Sequence, residues 1–159
     1  MSTYLVLKWL HIVSAMVLFG TGLGIAFFQW FVYRSGNVDA VAAVTRLVVR
    51  ADFVFTAPAV IVQFVSGLLL MHAMALPWET GWISLSFVLY ALVGACWLSV
   101  VVIQIRLARL AAQSSKGGTA LPAAFHRAMR VWFWLGWPAF IGVLVILWLM
   151  VKKPINWSS

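Results

Sequence analysis

Seven polar side chains stand where nearly every neighbour is apolar: Lys8, His11, Gln29, Asp52, Gln63, His72 and Gln104. Polar groups inside a bilayer are costly, so each calls for a reason in binding, transport or helix contact. Two imidazoles on facing helices suit the axial positions of a b-type haem, whose iron then supplies one-electron chemistry. His11 and His72 are the two histidines at comparable depth, because the first span leaves the N-terminal side and the second returns to it. The competing reading is two unrelated interfacial histidines, satisfied by backbone or water. Met71 and Met74 flank His72, and thioether with imidazole suits Cu(I). Lys8 lies one turn before His11. It either snorkels to headgroups or pairs with an anionic ligand group such as a propionate.

Helical phase orders these residues. Lys8, His11, Ala15, Leu18, Gly22, Ile25 and Gln29 follow a spacing of three and four, which is one helix face. Asp52, Thr56, Gln63, Ser66, Gly67 and Leu70 form a second face. His72 follows Gln63 by nine residues, half a turn out of phase at about 100° per residue. Gln63 and His72 therefore cannot both point into the bundle. Asp52 and Arg106 sit at the same membrane edge, and an ion pair between them is expected. Gln63 and Gln104 are expected to make interhelical hydrogen bonds. His126 precedes the last span, at the opposite edge from His11. Cys96, the only cysteine, reads as a small buried hydrophobe.

The elements that hold these residues follow from composition. Of 159 residues, 65% are hydrophobic and 9% charged, and the mean hydropathy is +1.05. A soluble domain is about 25% charged, so a soluble enzyme and a disordered chain are both excluded. No Asp, Glu, Lys or Arg occurs in 9–33, 53–78, 80–105 or 131–151. Each run matches the roughly 20 apolar residues that cross a hydrocarbon core as a helix. The chain is expected to be all-α, a single transmembrane domain over 1–159 built as a four-helix up-down bundle. Spans are expected near 5–33, 52–76, 81–108 and 128–151, with connections at 34–50 and 109–127.

Charge orients the bundle. Eight basic residues, Arg34, Arg46, Arg50, Arg106, Arg109, Lys116, Arg127 and Arg130, fall on one side. Lys8, Lys152 and Lys153 fall on the other, with Glu79. The richer side is expected to be cytoplasmic, which puts both termini in the periplasm of a bacterial inner membrane. The net charge of +8 is then a topology signal aimed at anionic headgroups, not at nucleic acid.

Finer features follow. Asp39 is expected to cap a short interfacial helix over 38–50 that runs into the second span. The stretch from Ser114 to Gly118 reads as the most flexible part of the chain. Pro58 and Pro138 are expected to kink their helices. Gly20 and Gly24 form a GxxxG pattern, and small-residue faces of this kind would allow a homodimer. P-loop, zinc-site and GxSxG patterns are absent, and three acidic residues leave little for paired-carboxylate catalysis.

The opening Tyr4-Leu-Val-Leu-Lys8-Trp-Leu-His11-Ile resembles a bacterial family of predicted integral membrane proteins of unknown function. So do Asp52-Phe-Val-Phe-Thr-Ala-Pro58, Gln63, Gly67, Ala95-Cys-Trp97, Gln104-Ile-Arg106 and Gly136-Trp-Pro-Ala139. The likeness covers nearly the whole chain and implies no activity. The Lys8-x-x-His11 start is also similar, over a short stretch, to HemJ-type protoporphyrinogen oxidases and CopD-like copper-resistance membrane proteins. That likeness implies haem b, with His11 as a ligand and Lys8 beside it. The leading expectation is a small haem b redox protein, with His11 and His72 as ligands and a quinol or porphyrin-type lipophilic partner. The alternatives are a membrane scaffold or accessory subunit without a cofactor, and copper handling through Met71, His72 and Met74.

Overall fold

The computed structural model describes residues 2–153. Lipid offers no partner to a backbone N–H, so each apolar run satisfies its own amides as a helix. The helices are α1 (Thr3–Arg34), α2 (Val38–Ala51), α3 (Ala57–Ala73), α4 (Gly81–Gly117) and α5 (Ala123–Lys152). A π-helical turn, Asp52–Thr56, joins α2 to α3 without a break. Four continuous rods result, each long and apolar enough to cross a membrane. The described residues contain no strand, and the chain is an all-α four-helix membrane bundle. The 32 residues of α1 span about 48 Å, more than the roughly 30 Å hydrocarbon core, so helix ends protrude.

The protruding ends correct two expectations. The helix expected over 38–50 runs into the second span, and the first correction concerns its cap. Its buried Val41, Ala42, Thr45 and Val48 recur at helical spacing and pack inward. Asn37, not Asp39, caps it, its side chain accepting the Ala40 N–H at 3.0 Å. Asp39 instead accepts the Ser115 hydroxyl at 2.6 Å. The second correction concerns Ser114 to Gly118, where α4 stays helical through Gly117. The Ser114 hydroxyl donates to the Ala120 carbonyl at 3.2 Å. Gly118, at φ +61°, supplies the left-handed C-cap that glycine adopts at least cost. The connection is therefore five residues, 118–122, where a loop over 109–127 was expected.

Pro58 sits just past the π turn. The Ala57 N–H bonds to the Asp52 carbonyl, five residues back. The wider turn precedes the residue that cannot donate, and a π turn is frequent where a helix carries a site.

Packing is concentrated at the two ends. At the basic end, Val41, Ala42, Leu107, Ala111, Phe125, Met129 and Trp132 form a core shared by α2, α4 and α5. At the other end, Trp82, Ile83 and Leu149 form a smaller one. Between them α4 and α5 make a close approach at Gly142, where an added Cβ would lie 2.6 Å from Val93 Cγ2. α1 and α5 meet through rings: Phe19 stacks on Phe140 at 5.5 Å and Trp30 leans on Phe133 at 4.6 Å. Tyr33 Oη and His126 Nδ1 close the basic end with a 2.9 Å hydrogen bond. A Cβ at Gly20 or Gly24 would meet nothing, so the GxxxG pattern makes no close contact within the chain.

Candidate functional site

Between the two packed ends lies a cavity of about 440 Å³, lined from all four rods. That is within the range of small-molecule sites, about 300–1,000 Å³. Its wall is mostly aromatic and aliphatic, with polar side chains from Asp52, Thr56, Gln63, Tyr90, Trp97 and Gln104. It reaches the lipid-facing surface between α1 and α5, where the lining residues Phe27 and Trp137 are 55% and 48% exposed.

The first polar cluster joins α1 to α3. The Ser66 hydroxyl donates its single proton to the Val62 carbonyl at 2.6 Å. His11 Nδ1, 2.9 Å from the Ser66 oxygen, must therefore carry a hydrogen and donate it. That leaves His11 Nε2 as the acceptor, and the Gln63 amide N–H reaches it at 3.0 Å. Gln63 Oε1 in turn accepts from the Ser14 hydroxyl at 2.5 Å. Gly67 lets the imidazole lie against α3, since a Cβ there would come within 3.2 Å of His11 Cε1. His11 is thus a neutral imidazole with both nitrogens committed. Gln63 is the one member of this cluster that also lines the cavity.

The second cluster lies on the basic side of the first. The Trp97 indole N–H donates to Asp52 Oδ1 at 3.3 Å. Thr56 and Gln104 flank the same carboxyl group. Asp52, Thr56 and Gln104 are only 4%, 6% and 2% exposed. Asp52 Oδ2, Thr56 Oγ1 and Gln104 Oε1 nonetheless have no well-formed hydrogen bond among the described residues. Each such group, if left unmade, costs about 1–3 kcal/mol. Gln29, buried on α1, leaves both amide atoms unpartnered as well, but does not line the cavity. Tyr90 is satisfied, donating to the Val60 carbonyl at 2.7 Å and tying α4 to α3.

The structure separates residues that were expected together. His72 is exposed near the end of α3, as its phase against Gln63 requires, and makes no hydrogen bond to His11. Met71 turns into the packing of Trp82, Ile83 and Leu149, while Met74 is 41% exposed. The described residues hold no cluster of three or more His, Cys, Asp or Glu able to bind a metal ion. Lys8 is exposed and lies 5.9 Å from the Tyr4 ring centroid. Arg106 is exposed on the α4–α5 side, so the expected Asp52–Arg106 ion pair is replaced by the Trp97 bond. Gln63 bonds across to His11 and Ser14 on α1, and Gln104 on α4 lies beside Asp52.

Three contributors escaped sequence reasoning. Ser14 follows His11 by three residues, the spacing of one helix face, and its hydroxyl was a readable signal. Trp97 and Tyr90 lie mid-span, away from the headgroup belt where such rings are expected. A buried indole or phenol needs an acceptor, and that need was also readable.

The family described as predicted integral membrane protein (DUF2269) matches residues 5–154. The chain belongs to that family. The match takes in both polar clusters and the cavity between them, so this DUF2269 protein carries its candidate site within the family region. No curated protein and no solved structure matches it.

Proposed function

We propose that this DUF2269 protein binds a lipophilic molecule in the cavity, a quinol or porphyrin-type compound that presents hydrogen-bond donors to Asp52, Thr56 and Gln104. The observation that carries this is the set of three buried oxygens without well-formed bonds, all lining one cavity. Gln104 Oε1 and Asp52 Oδ2 offer acceptor sites and the Thr56 hydroxyl both donates and accepts, so a ligand carrying O–H or N–H groups matches them. A quinol has two hydroxyls, and a porphyrinogen has pyrrole N–H groups. The aromatic wall suits the apolar body of either, and the opening between α1 and α5 offers access from the bilayer.

Titration of the purified protein with a short-chain benzoquinol and with a porphyrin, followed by quenching of tryptophan fluorescence, tests this. A buried polar group that loses its partner costs about 1–3 kcal/mol. Asp52→Asn combined with Gln104→Leu is therefore expected to weaken binding about ten- to a hundred-fold. Absence of binding by both ligands, with no lipophile but phospholipid in an organic extract of the protein, defeats the proposal and leaves the scaffold reading.

A haem b site at His11 is the second reading. It is supported by the imidazole's Nδ1–H being held by Ser66, the arrangement that orients Nε2 for a metal. His11 would hold the iron in place of its bond to Gln63, and the haem would supply one-electron redox chemistry. The exposed His72 does not fit as the second ligand. Spectra of air-oxidised and dithionite-reduced protein, from cells given a haem precursor, decide this reading. It expects a Soret band that His11→Ala abolishes, and a folded, colourless protein ends it.

The eight-to-three charge asymmetry supports a bacterial inner-membrane orientation with the basic side cytoplasmic. Impermeant thiol labelling in whole cells should then modify a cysteine placed at Ser2 and spare one placed at Ser115.

A further inference from the structure

A second concavity lies on the outside of the bundle, between α4 and α5 at the basic end. It encloses about 220 Å³ and is lined by Ile103, Arg106, Ala124, Arg127, Ala128 and Val131. Two guanidinium groups from different helices therefore border one small groove whose remaining lining is apolar. Both arginines are exposed.

The chain has only three acidic residues, and none lines this groove. Asp39 accepts from Ser115, Asp52 is buried beside Trp97, and Glu79 lies in the connection at the opposite end. Among the described residues neither guanidinium has a carboxylate partner, so both are free to take an anion from outside the protein. Arg109 and Arg130, one turn further along each helix, add to the same positive field.

Depth identifies the counter-ion. The charge-free run of α4 ends at Ile105, and that of α5 begins at Val131. The groove straddles both limits, with Ile103 and Val131 on the hydrocarbon side and the guanidinium groups at headgroup level. Ala124 and Ala128 leave the space between the helices open, because neither side chain extends past Cβ.

The geometry points to a site for an anionic phospholipid, its phosphate between Arg106 and Arg127 and one acyl chain along Ile103 and Val131. Guanidinium forks match phosphate oxygens in paired hydrogen bonds. Basic pockets between transmembrane helices bind anionic headgroups on the same principle. A free inorganic anion would leave the apolar half of the groove unused. This inference is independent of the central cavity and its ligand.

Native mass spectrometry of the full chain in detergent, titrated with phosphatidylglycerol, phosphatidylcholine or inorganic phosphate, tests it. Phosphatidylglycerol is expected to bind one per chain, at least about tenfold more tightly than phosphatidylcholine, given the worth of charge-assisted bonds. Arg106→Gln with Arg127→Gln should remove that preference, while Arg46→Gln with Arg50→Gln, on the same side but outside the groove, should keep it. Ala124→Leu fills the groove with both charges retained, and it should also lose the bound lipid. The site is refuted if the Arg106/Arg127 pair binds as the parent does, or if the Arg46/Arg50 pair loses the lipid equally. Retention by Ala124→Leu, or displacement of the lipid by inorganic phosphate at similar concentration, refutes it too.

Discussion

Gln63→Leu will lower the stability of the detergent-solubilised protein by about 1–3 kcal/mol, the sum of two interhelical hydrogen bonds in an apolar setting. Gln63 donates to His11 Nε2 and accepts from Ser14, so its loss strips a partner from two α1 side chains at once. The substitution keeps a side chain of similar bulk, so the effect reports the polar bonds rather than a cavity. His11→Leu alone also costs, because it orphans the Gln63 amide. The double variant His11→Leu/Gln63→Leu is expected to cost less than the two singles summed, since replacing both partners leaves fewer polar groups without one. Unfolding in increasing denaturing detergent, read by helical circular dichroism, gives the four stabilities. Strict additivity would show that the two side chains are not coupled as the 3.0 Å contact requires.

Gly142→Ala has a comparable effect for a different reason. The new methyl would lie 2.6 Å from Val93 Cγ2, well inside contact distance. Valine is β-branched and stiff at χ1, so it cannot swing clear cheaply. α4 and α5 must part, and overpacking of this kind costs about 1–3 kcal/mol. Val93 also borders the cavity, so Val93→Ala opens space on a side that is already hollow. Combining it with Gly142→Ala returns a methyl to the vacated volume and is expected to recover most of the loss. A Gly142→Ala protein as stable as the parent would mean that the helices do not approach this closely.

Much of this architecture was legible in residue order, and for a physical reason. A charged side chain in hydrocarbon is penalised wherever it stands, so charge-free runs marked the four spans without reference to any partner. Helical periodicity is equally local. It put Gln63, Ser66 and Gly67 on one face of α3 and His72 on another, and the structure keeps that division. Asp52, Thr56 and Gln104 were visible for the same reason, as polar groups in apolar surroundings.

Only the tertiary structure decided which of these groups meet. Whether His11 faces His72 or Gln63 depends on the rotation of α1 against α3, which packing sets and no single helix encodes. Asp52 and Arg106 share a depth, but depth does not specify an azimuth. Asp52 turns inward to Trp97, whereas Arg106 turns outward beside Arg127. The length of α4 escaped local reading because Ser115 finds its partner, Asp39, only on the neighbouring α2. The cavity is the extreme case. It arises because α1 packs on α3 and α4 on α5 while these two pairs stand apart mid-membrane, and that spacing is a property of the assembled bundle alone.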